Sequence, residues 1–175
     1  MADLPLWWHV CGIALVSGLF LLARQTRSAP ILVICLTRLP GVILHELAHL
    51  LAGLLFRAQP ESFNLIPQRR VDGRWTLGSV AFRRVTALNA VPIAFAPLAL
   101  VPLAYLLFNI WFDWLTVSLA NTLLLYGVLF ILVANALPSR QDLRVAANWR
   151  SLLLYGASGA LLWYLWQYCW RSLQP

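Results

Sequence analysis

The chain has 175 residues, 61% of them hydrophobic and only 11% charged. A soluble domain of this length cannot bury so much apolar surface, which excludes an ordinary soluble globular protein and predicts one integral membrane domain over residues 1–175. The formal net charge of +7 comes from thirteen arginines against six acids, mostly in short stretches between apolar runs, a pattern of membrane topology rather than of nucleic-acid binding.

A membrane span needs on the order of 20 apolar residues. Five stretches approach that length: about Leu6–Ala23, Leu39–Phe56, Val85–Phe108, Leu115–Leu137 and Ser151–Trp170. The expected fold class is therefore an all-α membrane protein, a bundle of about five transmembrane helices with a small membrane-associated β-hairpin at about residues 62–83. The N-terminus lacks a basic region, and no small-residue cleavage site follows the first apolar run, so that run is expected to stay as an anchor. His9, near its start, reads as an interfacial residue. Cys11, Cys35 and Cys169 show no paired spacing and read as packing residues.

The second stretch contains His45-Glu46-Leu47-Ala48-His49, the H-E-x-x-H pattern. Residues four apart share one face of a helix, so both imidazoles can reach one Zn²⁺ while Glu46 approaches a water on that ion. Zinc brings the pKa of such a water to about 7, and a carboxylate can then take its proton for attack on a carbonyl. The plain alternative is a pair of histidines and a glutamate that satisfy each other in a helix core. It is disfavoured because an ionisable group at mid-membrane costs at least about 2.5 kcal/mol on insertion scales.

Between the second and third stretches, Phe63–Val71 and Arg74–Phe82 flank Asp72-Gly73, a pair suited to a type I′ turn. A two-residue turn there predicts Phe63 opposite Phe82, Leu65 opposite Val80, and Pro67 opposite Gly78 with a bulge or break, since proline cannot donate to the ladder. An exposed edge of this ribbon could hold an extended peptide by strand addition, and Pro67 makes the second strand the better template. Arg69, Arg70 and Arg74 equally suit binding to anionic lipid. In the third stretch, Asn89, Pro92, Pro97 and Pro102 predict a kinked or broken helix whose freed carbonyls need partners. That break could gate the site or simply shape the helix.

A catalytic zinc takes a third protein ligand and keeps one position open. The candidate acids are Asp3, Glu61, Asp72, Asp113 and Asp142. Asp3 lies at the terminus, Asp72 in the expected turn and Asp113 between two tryptophans, while Glu61 begins the hairpin region. Asp142 follows Asn135-Ala-Leu-Pro138-Ser139-Arg140-Gln141, where a span ends in a proline-broken segment able to fold back on the bundle; otherwise it pairs with Arg140 or Arg144 at the surface.

These residues resemble the site-2 protease type of intramembrane zinc metallopeptidase, whose members carry H-E-x-x-H on one core helix and an Asn-x-x-Pro segment leading to Leu-Asp-Gly on a later one. The resemblance covers His45–His49 and Asn135–Asp142, with Gln141 before the aspartate and Leu143 after it in place of leucine and glycine. It implies that His45, His49 and Asp142 bind Zn²⁺, that Glu46 is the general base, and that Asn135 helps hold the substrate backbone. It also implies a hairpin after the first motif helix, and a likeness to the small bacterial members without appended regulatory domains.

The expected activity is zinc-dependent endopeptidase hydrolysis of membrane-embedded or membrane-proximal peptides. The expected partners are a membrane protein or peptide substrate, the lipid bilayer and a regulatory membrane protein, with no nucleic acid. A non-hydrolytic zinc-binding scaffold or assembly subunit is the alternative, although such a site has no need of Glu46. Nine arginines on one side of the five stretches against four on the other predict a multi-pass protein of a bacterial inner membrane with a cytoplasmic N-terminus.

Overall fold

The computed structural model describes residues 4–25, 31–69 and 75–172. Its elements are α1 (Leu6–Gln25), α2 (Ile31–Leu55), β1 (Pro60–Asn64), β2 (Gln68–Arg69), β3 (Trp75–Thr76), β4 (Ser79–Phe82), α3 (Ala87–Phe95), a 3-10 turn (Ala96–Ala99), α4 (Leu100–Trp114), α5 (Leu119–Ala134), α6 (Arg140–Ala146) and α7 (Trp149–Ser172). Among the described residues, three helical segments are long and apolar enough to cross a membrane: Leu6–Gln25, Thr37–Leu55 and Ala87–Trp114. The fourth expected stretch forms a shorter apolar helix, α5, and the fifth forms α7.

In lipid, helices gain little from hiding apolar side chains from one another, so close backbone approach at small residues and interhelical hydrogen bonds carry the packing. α1 packs along α5 in this way. A Cβ on Gly12 would lie 2.6 Å from the Tyr126 ring, and His9 Nδ1 is hydrogen-bonded to the hydroxyl of that tyrosine at 2.9 Å. The sequence pattern offered His9 no such partner. Deeper in the bundle, Leu100, Ala104, Leu132 and Ala136 form a buried cluster, with Leu44 of α2 packed against it.

The expected break in the third stretch is present and centres on Pro97, which lacks the N–H that would return to the Ile93 carbonyl. Thr86 starts α3 as half of a capping box, accepting from the Asn89 N–H while Asn89 Oδ1 accepts from the Thr86 N–H at 2.7 Å. The buried Asn89 amide also donates to the Arg84 and Phe56 carbonyls. It thus ties the end of α2 and the exit of β4 to the start of α3. α7 leans on α3 through the Tyr155 hydroxyl, which donates to the Leu88 carbonyl at 2.5 Å.

The hairpin forms, with a register different from the expected one. Phe63 pairs with Val80 rather than Phe82, and Asn64 with Ser79, while Gln68 pairs with Thr76 and Arg69 with Trp75. The expected pairings of Phe63 with Phe82, Leu65 with Val80 and Pro67 with Gly78 are therefore corrected. The expected break at Pro67 is there: residues 65–67 on one side face residues 77–78 on the other, so one extra residue shifts the ladder. Asn64 helps make it, because its side-chain oxygen accepts the Ile66 N–H at 2.8 Å and turns the strand aside. A second shift lies between Pro60 and Ser62. The turn expected at Asp72-Gly73, with Arg70 and Arg74, lies outside the described residues, as does Asp3.

Two glycines seat this hairpin on the second helix. A Cβ on Gly53 would meet the Phe82 ring at 2.6 Å from Cζ, and one on Gly78 would lie 2.8 Å from both Glu46 Cγ and Val42 Cγ1. Only residues without a side chain let β4 approach α2 this closely.

Candidate metal centre

His45 and His49 are one helical turn apart on α2, and α6 brings Asp142 to them from a distant part of the chain. The two Nε2 atoms are 3.2 Å apart; His45 Nε2 is 3.4 Å from Asp142 Oδ2, and His49 Nε2 is 3.3 Å from Oδ1. With one donor atom taken from each residue, all three lie within 4.8 Å of one another, and the carboxylate straddles the two rings.

Backbone carbonyls fix both rings. His45 Nδ1–H donates to the Asn135 carbonyl and His49 Nδ1–H to the Ile93 carbonyl, each at 2.8 Å. A carbonyl can only accept, so Nδ1 carries a proton in both rings, and each Nε2 faces the other ring and the carboxylate. Two Nε2 atoms and a carboxylate this close are held together by a shared cation, a proton or a metal ion. Protons on Nε2 would draw the groups to the roughly 2.7–2.9 Å of charge-assisted hydrogen bonds. Tetrahedral zinc with bonds of about 2.0–2.1 Å instead sets its ligand atoms about 3.3–3.4 Å apart. The spacing of the two rings, and of each ring from its own carboxylate oxygen, lies nearer the second pattern, and anchoring the distal ring nitrogen on a carbonyl is what metal-binding histidines do.

Both carbonyls have room for a ring because each lacks its donor four residues on. The Ile93 carbonyl accepts the Ala96 N–H at the C-cap of α3, and Pro97 leaves it without a second backbone donor. The Asn135 carbonyl lies at the C-cap of α5, where the chain leaves the helix before Pro138. Ser139, which would have been its donor, gives its N–H to Asp142 Oδ2 at 2.6 Å, and the Asp142 N–H returns to Ser139 Oγ at 3.2 Å. This capping box opens α6 and aims the carboxylate at the histidines. Burial by itself would raise the Asp142 pKa; the imidazoles of His45 and His49 together with Ser139 outweigh it and hold the carboxyl well below the usual range, so it is an anion at any physiological pH. Its hydrogen-bond and ion-pair partners among the described residues are these three rather than Arg140 or Arg144.

Glu46 lies beside this cluster in a cleft of about 500 Å³. β4 forms one wall, from Gly78 to Phe82. α3 and α6 form the other, through Ile93, Ala94, Ser139, Gln141 and Val145, and His49 and Asp142 also line it. The Val80 backbone interacts with the Glu46 carboxylate, which keeps the acid at the foot of the strand.

Of the residues expected from sequence, His45, Glu46, His49 and Asp142 come together. Asn135 is beside them, but its side chain is turned from the cleft: the amide donates to the Ile131 carbonyl at 2.8 Å, and its backbone holds His45. Asp113 is at the far end of α4, and Glu61 lies in β1. Sequence reading missed the Ile93 carbonyl, although a proline four residues later marks a carbonyl that lacks its i+4 donor. It also missed Ser139, whose spacing to Asp142 is that of a capping box.

Comparison of the chain with protein-family models, with curated proteins and with solved structures finds no match. Any function has to be argued from the geometry of the site.

Proposed function

We propose that this protein is a zinc-dependent endopeptidase of the site-2 protease type, cutting membrane-embedded or membrane-proximal peptides. The observation that carries the reading is the convergence, at 3.2–3.4 Å, of one carboxylate and the Nε2 atoms of two imidazoles whose Nδ1 atoms are anchored on carbonyls, with a further carboxylate, Glu46, beside them in an open cleft. A metal held only for structure has four closed positions and no need of a neighbouring base.

In this reading His45, His49 and Asp142 hold the ion. When bound, zinc would supply Lewis acidity, lowering the pKa of a water and polarising the scissile carbonyl. Glu46 takes the proton of the attacking water and returns it to the leaving amine. A helical substrate hides its carbonyls in its own hydrogen bonds and must be unwound first. The strand wall Ser79–Phe82 offers an extended segment replacement partners beside the base. Asn135 contributes by holding His45.

Five membrane crossings belong to the same reading, α5 and α7 joining the three long apolar segments, with a cytoplasmic N-terminus in a bacterial inner membrane. A reporter fused at Arg70 is then expected to behave as cytoplasmic and one at Asp113 as external; the reverse pattern overturns the orientation.

The decisive experiment is Glu46→Gln, which keeps shape and hydrogen bonding but removes the proton acceptor. Zinc stoichiometry should stay at the wild-type level, while cleavage in cells or in detergent falls by about 10²–10⁴. Full metal with full biological activity sinks the protease reading and leaves a structural zinc.

A further inference from the structure

Resting on the metal-centre reading, we infer that Gly41 is a positioning residue for His45 and acts through Asn135. Gly41, His45 and His49 follow one another at four-residue spacing and so share a face of α2. Gly41 is buried, and it sits against the Asn135 side chain. A Cβ there would fall 2.5 Å from Asn135 Cγ, 2.8 Å from Oδ1 and closer still to Nδ2. Real Cβ atoms do not approach other atoms so closely, so any side chain at position 41 has to displace Asn135.

Asn135 has little freedom to yield. Its amide is held by the Ile131 carbonyl at 2.8 Å, and its backbone forms the C-cap of α5. The carbonyl of the same residue receives His45 Nδ1–H at 2.8 Å. Displacing the side chain therefore shifts the anchor of the His45 ring. The ring then turns, and its Nε2 leaves the position 3.2 Å from His49 and 3.4 Å from Asp142 that suits a shared ion. Glycine is a poor helix former, and here its lack of a side chain is what lets α5 bring that carbonyl to α2. This assigns Asn135 a role through its backbone, with its side chain serving as the spacer that Gly41 accommodates.

No substrate is needed for the test. Zn²⁺ affinity of the full-length protein in detergent is measured by competition with a chromophoric chelator, for wild type, Gly41→Ala, Asn135→Ala and the double variant. Gly41→Ala is expected to weaken binding by about 10–100-fold, the usual effect of disturbing an outer partner of a ligand. Asn135→Ala keeps the carbonyl and is the reference for the double variant. The double variant deletes the three atoms that the new methyl would strike, so it should recover to the level of Asn135→Ala, a non-additivity that marks direct contact.

Wild-type affinity in Gly41→Ala, or no recovery in the double variant, overturns the inference. Should Gly41→Ala fail to fold, equal affinity in Asn135→Ala and the double variant supports it, and a further loss in the double variant overturns it. A wild-type protein that binds no zinc defeats the metal-centre reading itself, and the inference with it.

Discussion

At the break between α3 and α4, Pro97 has no N–H to offer Ile93, and that carbonyl, which accepts the Ala96 N–H, also takes the His49 ring. At the end of α5, the chain leaves the helix before Pro138, and the carbonyl of Asn135 takes the His45 ring. The chemistry of the two anchors is the same, down to the 2.8 Å distance. The two breaks differ in the path the chain takes next. After Pro97 the chain resumes a helix within the same apolar segment, Ala87–Trp114, and gives the site an acceptor only. Beyond Pro138 it turns into α6, and the Ser139–Asp142 capping box adds a charged group that could hold a metal ion. An interrupted helix thus supplies orientation cheaply, whereas a ligand requires that the chain also reverse.

If that distinction holds, damage after the α5 break should exceed damage at the α3 break. Asp142→Ala removes a ligand and leaves the Ser139 N–H without its acceptor. Its zinc affinity, read by chelator competition, is expected to fall well beyond the roughly 100-fold that marks the upper range for outer partners. Retained stoichiometric metal would break the comparison and move attention to Glu61. Pro97→Ala offers the α3–α4 segment a further donor, which competes with His49 for the Ile93 carbonyl that Ala96 already shares. Here a loss of about 10–100-fold is expected, and an unchanged affinity would mean that the ring holds its carbonyl regardless of the helix. Asp113→Ala, at the far end of α4, should change nothing measurable in the same assay, which makes it the control for both.

The cluster of His45, His49 and Asp142 was legible because its chemistry is local. Two histidines four apart with a glutamate between them need only a helix to converge, and an acid following a proline-broken segment is well placed to return to it. The prolines announced the breaks, but not where the freed carbonyls would point, since the pairs His49–Ile93 and His45–Asn135 join residues far apart in sequence. The hairpin was visible in its strands and its break at Pro67, yet its register was misread. Fixing it from an assumed two-residue turn ignored the extra residue at 65–67 and the offset between Pro60 and Ser62. The glycine seats at 41, 53 and 78 were invisible for a simpler reason: a glycine in an apolar run carries no sign of the neighbour that excludes its side chain.

α5 has 16 residues. At 1.5 Å per residue it is about 24 Å long, against a hydrocarbon layer of about 30 Å. In the five-crossing arrangement proposed above, a helix this short cannot carry both of its polar ends to the headgroups. Either the bilayer thins around it, or its C-terminal end, with Asn135 and the Ser139–Asp142 turn, stays below the surface. In both cases the cleft becomes a place where water reaches several ångströms into the depth otherwise reserved for acyl chains. Lipid thickness should then set how far along a membrane-embedded segment the scissile bond can lie, with thicker bilayers drawing the cut deeper into the segment, away from its end on the side of the site.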